Sequence, residues 1–271
     1  MALPFKAVAV DMDGTFLNGE RTYDHQLFNK VLTQLEARGV HFIVASGRPY
    51  ARLKEDFIDY IDRMDFVTAN GSRLMSDNKQ IGITPMKRDT VVELIEDVHQ
   101  KYGQMATMLF APNMAYIGEN APARDKEFLK YFAGTCIEVK DWSKLPNQQY
   151  IEITFHHPRK DGKQIEQSFN QKHGNVISAY GSAEFAIDIN AYGVSKGAGL
   201  KEMLTKFGLT GNDLIAFGDG ENDIPMLDFA KYSYAMENGM AEVKKHASYI
   251  APKNTENGVL QVLQEYLAKD K

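Results

Sequence analysis

A single cysteine, Cys136, stands among the 271 residues. That excludes an internal disulfide and any metal site built from several thiolates, and it fits a reducing compartment. No apolar run approaches the ~18 residues of a membrane-spanning helix. No Lys/Arg cluster occurs and the net charge is −5. Nucleic acid and anionic membrane are therefore not expected as partners. There is no low-complexity tract and no internal repeat. The opening residues, from Met1 to Lys6, lack a charged start followed by a long apolar stretch. A signal peptide is not expected, and the expected location is the cytoplasm.

What remains is an ordinary globular composition, 44% apolar and 25% charged, in a chain long enough to bury one large core or two modest ones. Residues 5–10 form a short apolar run that ends at charge and glycine, which predicts a buried parallel strand. From Asp24 the pattern turns helical, with Leu27, Val31 and Leu35 spaced by four. Asp24 can cap that helix and Gly39 can end it. A second strand is expected over 40–45, a helix over 49–62 and a third strand over 65–69. This β-α-β-α-β order predicts a parallel sheet flanked by helices.

The middle of the chain alternates instead. Residues 150–155 and 186–189 predict strands of a partly antiparallel sheet, with helices over 90–101, 123–132 and 163–172. The βα rhythm returns with helices expected over 196–207, 222–230 and 255–269, and strands over 213–217 and 232–236. The expected fold is α/β: a Rossmann-like doubly wound parallel sheet with an inserted α+β cap domain. The expected division is 1–83 and 191–271 for the sheet domain and 84–190 for the insert.

Four polar clusters follow strands. They are Asp11 to Thr15, Ser46-Gly47-Arg48, Asn70-Gly71, and Gly218 to Asp223. In an open parallel sheet the strand ends lie on one edge, so these clusters are expected to converge on one crevice. Asp11, Asp13, Asp219 and Asp223 would make that crevice acidic, and a hard cation with oxygen ligands, Mg²⁺, is expected to offset them. In a continuing strand Asp11 and Asp13 would share a face. Lys196, just ahead of a helix, can add a fixed positive charge. Ser46, Gly47 and the backbone around Asp13 and Gly14 can donate hydrogen bonds to phosphate oxygens. A carboxylate nucleophile, a metal and a lysine together suit phosphoryl transfer.

The ordered set resembles the haloacid dehalogenase-like (HAD) superfamily, and within it the Cof-type sugar-phosphatase branch. Asp11-Met12-Asp13-Gly14-Thr15 matches its first motif. Ser46-Gly47-Arg48 matches the second, Lys196 the third, and Gly218-Asp219-Gly220-Glu221-Asn222-Asp223 the fourth. The resemblance implies a phosphatase for small phosphorylated metabolites such as sugar phosphates or flavin mononucleotide. It also implies that Asp11 is the nucleophile, forming an aspartyl-phosphate, and that Asp13 is the acid and then the base. Mg²⁺ would be held by Asp11, the Asp13 backbone carbonyl and Asp219, with Asp223 nearby. Met12, Ser46, Gly47, Lys196 and Asn222 would hold the phosphate. A phosphomutase on the same scaffold is the alternative. A monomer is expected, a weak dimer at most.

Other residues carry milder readings. Arg48 reads equally as a surface residue at a helix start and as a substrate contact; Asn70 is read as bordering the site. Adjacent His156 and His157 point to opposite strand faces, which argues against a shared metal and for a solvated strand end. Trp142 is expected to pack on the cap sheet. Contacts to the leaving group are sought in 107–120 and 180–184.

Overall fold

The computed structural model describes residues 3–103, 105–133, 136–156, 162–183 and 186–270. Strands β1 (Ala7–Val10), β2 (His41–Ala45), β3 (Asp65–Thr68), β4 (Arg73–Ser76) and β5 (Lys79–Ile83) belong to one sheet. After a long intervening segment the same sheet resumes with β12 (Leu214–Gly218), β13 (Tyr232–Met236) and β14 (Tyr249–Ala251). The intervening segment forms its own sheet from β6 (Ala106–Ala111), β7 (Met114–Gly118), β8 (Cys136–Val139), β9 (Glu152–His156), β10 (Ile177–Ala183) and β11 (Ala186–Ala191).

The first sheet runs β14-β13-β12-β1-β2-β3-β4-β5. Pairing is parallel from β14 to β3 and antiparallel at β3–β4 and β4–β5. The helices are α1 (His25–Glu36), α2 (Tyr50–Asp56), α3 (Arg88–Tyr102), α4 (Ala123–Ala133), α5 (Gly162–His173), α6 (Lys196–Lys206), α7 (Ile224–Phe229), α8 (Ala241–His246) and α9 (Gly258–Lys269). Among the described residues no helix is long and apolar enough to cross a membrane.

Strand alternation sorts the two faces by size. Val8, Val10, Phe42, Val44, Phe66 and Phe217 pack with α1 and α9. On the other face Ala7, Ala9, Ala45, Ala216 and Ala235 lie under α6 and α7. Small residues on that face let α6 approach closely, and Gly199 of α6 sits so near Val67 and Gly71 that a Cβ would overlap both. Lys196, at the first position of α6, is thereby set beneath the strand ends.

The insert sheet is ordered β10-β11-β9-β6-β7-β8. One face packs on α3 and α5 through Leu109, Ile153, Phe155, Ile187 and Ile189. The opposite face carries Met108 and Phe110 against α4, and Ile151, just ahead of β9, joins that cluster. Alternation places Glu152 and Thr154 of β9, and Asp188 and Asn190 of β11, on that same face, where they meet the loops of the first sheet.

Several boundaries differ from expectation. The helix expected over 49–62 stops at Asp56 with Pro49 as its cap; the chain then turns so that Phe57, Tyr60 and Ile61 all enter the core. The segment expected as a helix from 222 begins as a 3₁₀ turn and becomes helical at Ile224, next to Pro225. The last helix starts at Gly258 rather than 255, after a 3₁₀ turn and Asn257 in the left-handed region. Gly39 does not adjoin the first helix, which ends at Glu36; its φ of 66° turns the chain toward β2. Asp24 caps that helix as expected, accepting from the Leu27 N–H at 2.9 Å. Trp142 lies partly buried against the insert core.

Candidate active site

β1 ends at Val10, and Asp11 is the first residue beyond it. The chain curls at once: the Met12 carbonyl accepts from the N–H groups of Thr15, Phe16 and Leu17. Asp11 and Asp13 therefore do not share a strand face. Asp11 turns inward, whereas the Asp13 side chain is 52% exposed and bonded to Arg48. Met12 puts its side chain into the core, so only its main chain can reach a phosphate.

Gly14 closes this curl with a φ of 81°, and any Cβ there would overlap the Asp219 carboxylate. Thr15 Oγ1 donates to Asp219 Oδ1 at 2.7 Å. Two loops more than two hundred residues apart are joined at this point.

Lys196 is the buried hinge of the cluster. Its Nζ donates to Asp11 Oδ1 and to Asp223 Oδ1, each at 2.6 Å, with its side chain 1% exposed. Asp223 Oδ2 accepts from the N–H groups of Asp219 and Gly220 at 2.9 and 3.0 Å. Asp223 thus fixes the loop that presents Asp219 while holding Lys196.

The side-chain oxygens of Asp11, Asp219 and Asp223 lie within 4.8 Å of one another. Three carboxylates face one ammonium, which leaves the cluster with excess negative charge. Burial pushes Asp11 well above the usual carboxylate range; Lys196 opposes this, and Asp223 and Asp219 add to it. Burial, and then Asp223, push Asp219 up to about 6. Burial works against the Lys196 ammonium, but Asp11 and Asp223 outweigh it and raise its pKa. An all-oxygen donor set with unbalanced negative charge fits a hard divalent cation. Asp13 contributes no side-chain oxygen to that set.

Ser46 and Gly47 follow β2. The Ser46 N–H donates to Val67 and its carbonyl accepts from Asn70; Ser46 Oγ accepts from the Arg48 N–H at 3.1 Å. Asn222 Nδ2 donates to Asn70 Oδ1 at 3.2 Å. Ser46, Gly47, Arg48 and Asn222, with Asp11, Asp13, Asp219 and Asp223, line one crevice of about 340 Å³, and Asn70, expected to border the site, is not among the lining residues. Lys196 lies behind its wall. The expected convergence on one strand edge is therefore what the fold produces.

The insert supplies the facing wall, with Phe110, Leu129, Glu152, Thr154 and Asp188. Among the described residues of the leaving-group stretches expected from sequence, only Phe110 lines the crevice; Glu184 lies outside the described residues. The polar wall comes from β9 and β11, whose alternation was visible but whose burial was not. His156 is not at a solvated strand end: its Nδ1 lies 3.1 Å from Asp125 Oδ1, with both side chains largely buried. His157 lies outside the described residues. At the rim, Tyr131 of α4 has the guanidinium groups of Arg21 and Arg52 over its ring, at 5.1 and 4.8 Å. Lys163 of α5 pairs with Glu221 at 2.7 Å.

A sequence profile of the haloacid dehalogenase-like hydrolases matches residues 8–263. The chain belongs to that family, and it is an enzyme of the phosphatase type. It is 28% identical over 265 residues to the 5-amino-6-(5-phospho-D-ribitylamino)uracil phosphatase YbjI of Escherichia coli, covering 98% of this chain and 97% of that one. It is 27% identical to the HMP-PP phosphatase of Klebsiella pneumoniae, covering 90% and 89%. The crystal structure of SMU.1108c from Streptococcus mutans superposes with a TM-score of 0.93 at 35% identity, over 97% of this chain and 99% of that one.

Proposed function

We propose that this protein is a Mg²⁺-dependent phosphatase that hydrolyses phosphate monoesters of small metabolites, sugar phosphates foremost, through an aspartyl-phosphate at Asp11. The observation that carries the reading is the buried Asp11–Lys196 contact at 2.6 Å, with Asp219 and Asp223 beside it and Asp13 in the same crevice. Segments 1–83 and 191–271 act as the catalytic domain and 84–190 as the cap over it.

Lys196 occupies Asp11 Oδ1, and Asp11 Oδ2 takes no hydrogen bond from the described residues. That oxygen is free to attack phosphorus. The bond from phosphorus to the alcohol oxygen breaks, and protonated Asp13 hands its proton to that oxygen. Ionised Asp13 then takes a proton from water as the water oxygen attacks the phosphorus. The acyl-phosphate bond breaks, which restores Asp11 and releases inorganic phosphate. Arg48 steadies the carboxylate form of Asp13 between the two steps. Ser46, Gly47, Asn222 and the main chain at Met12 are positioned to hold the phosphoryl oxygens. A Mg²⁺ ion on Asp11, Asp219 and the Asp13 carbonyl, with Asp223 nearby, would neutralise phosphoryl charge.

The test is phosphate release from a panel of sugar phosphates and flavin mononucleotide, with and without Mg²⁺. Mg²⁺-dependent turnover that vanishes in Asp11→Asn is expected. Full activity in Asp11→Asn contradicts the reading, and a phosphorylated isomer in place of free phosphate assigns a mutase.

A further inference from the structure

Asn238 belongs to none of the four strand-end clusters, but its side chain reaches the loop that carries Asp11 and Asp13. It sits in the turn after β13, and its Nδ2 donates to the Gly14 carbonyl at 2.7 Å. Its Oδ1 accepts from the Asn254 N–H at 3.0 Å. Asn254 Nδ2 in turn donates to the Leu17 carbonyl at 2.7 Å. The curl that follows Asp11 is therefore gripped at two carbonyls, by two asparagines that are bonded to each other. The same turn holds the other side of the cluster. The Met240 N–H donates to the Asp219 carbonyl at 3.0 Å. A Cβ on Gly239 would sit 3.0 Å from the Asp219 Cα, so the turn lies hard against that residue.

The curl needs such an outside tie. Its inner bonds all converge on the Met12 carbonyl, and Gly14, with a φ of 81°, is a residue whose backbone is free to swing. Fixing the Gly14 carbonyl fixes the peptide plane on one side of that residue and limits the plane on the other, which carries the Asp13 carbonyl. A cation held by oxygens from two separate loops binds tightly only while the loops keep their spacing. Asn238 and Met240 stand two residues apart on one turn, which the Gly239 N–H closes by donating to the Met236 carbonyl at 2.9 Å. That turn spans from Gly14 to Asp219 and sets the spacing. Asn238 is itself exposed, so its contribution is made through its amide and not through packing in the core.

We propose that Asn238 is a positioning residue of the cation site: it sets the Gly14 turn of the nucleophile loop against Asp219, and Asn254 sets Asn238. This rests on the Mg²⁺ reading above and adds to it a residue that acts only through the main chain of Gly14.

The test is calorimetric Mg²⁺ binding to the full-length protein and to Asn238→Ala, Asn254→Ala and Asn170→Ala, with a thermal melt of each in metal-free form. Asn170 is the control, because its amide also bonds main chain, at Ala179 of the insert, through both Nδ2 and Oδ1 at 2.9 Å. Asn238→Ala should weaken Mg²⁺ binding by ~10- to 100-fold, as the loss of a residue that supports metal ligands does. Asn254→Ala should weaken it by a smaller factor, and Asn170→Ala should leave it unchanged. The metal-free melting temperature of Asn238→Ala should fall by no more than ~4 °C, the effect of about one hydrogen bond. Parental Mg²⁺ affinity in Asn238→Ala overturns the proposal and leaves the Mg²⁺ reading standing. So does an equal weakening in Asn170→Ala, or a metal-free melt of Asn238→Ala lowered well beyond that limit, either of which marks a general structural effect. If Asn238→Ala does not fold, Asn254→Ala decides in its place, and parental affinity there overturns the proposal. An unmodified protein that binds no Mg²⁺ overturns the Mg²⁺ reading itself, and this proposal with it.

Discussion

Arg48 holds Asp13 through two parallel hydrogen bonds, Nε to Oδ2 at 2.9 Å and Nη2 to Oδ1 at 2.6 Å. Its Nη1 reaches Asp56 Oδ2 at 2.7 Å, and the Arg48 side chain is only 4% exposed. A half-exposed acid is thereby pinned by a buried cation that is itself anchored in α2. Such a fork fixes orientation as well as charge.

Lysine cannot reproduce that fork. Arg48→Lys should fold and should lower kcat by ~10- to 100-fold, because a proton donor displaced by about an ångström loses that much. Steady-state kinetics on any hydrolysed ester checks this. A variant with unchanged kcat removes Arg48 from the positioning of Asp13.

Lys196 balances two buried carboxylates at once. Lys196→Met leaves Asp11 and Asp223 without their cation, which costs roughly 3–5 kcal/mol when a buried pair is broken. Metal-free protein at pH 7 should then melt roughly ten degrees lower. The loss should shrink as the pH falls: without the lysine, which holds the raised Asp11 pKa down, that pKa rises further, so the folded form binds a proton that the unfolded form does not. Thermal melts at pH 7 and pH 5 decide it. A variant as stable as the parent at pH 7 argues against this balance.

The same cluster makes cation binding depend on pH. Asp219 is pushed up to about 6 and Asp11 lies well above its ordinary value, so below about pH 6 a cation must displace protons. Mg²⁺ affinity, measured by calorimetry, should weaken by roughly tenfold per pH unit per displaced proton. The stability sign follows. A raised carboxyl pKa favours the folded state at low pH, and that contribution is lost as pH rises through about 6. Added Mg²⁺ should therefore raise the melting temperature more at pH 7.5 than at pH 5.5. An equal rise at both values contradicts the cluster as the binding site.

Much of this site was legible in the sequence. Asp11, Ser46, Asp219 and Asp223 each follow a strand of a parallel sheet, and that pattern alone brings them to one edge. Lys196 was legible as the start of a helix. Other parts were not, for physical reasons. The Arg48–Asp13 fork joins residues 35 apart, at a distance no periodicity relates. The polar face of Glu152, Thr154 and Asp188 looks like the solvent side of an alternating strand. Its burial depends on how the insert meets the loop at Asn70, whose φ of 53° aims its side chain across the gap. The hairpin of β4 and β5 was missed although its signal was present. Asp77 and Asn78, with φ of 49° and 58°, form a two-residue turn of the kind that hairpins favour.

The most direct measurement is chemical trapping of the phosphorylated enzyme. Borohydride reduces an acyl-phosphate but not a free carboxylate, so quenching the protein during turnover of a sugar phosphate should convert Asp11 to homoserine. Peptide mass spectrometry should find that change at position 11, dependent on substrate and on Mg²⁺, and absent from Asp11→Asn. Steady turnover with Asp11 unreduced, or reduction at another aspartate, would contradict a nucleophilic Asp11.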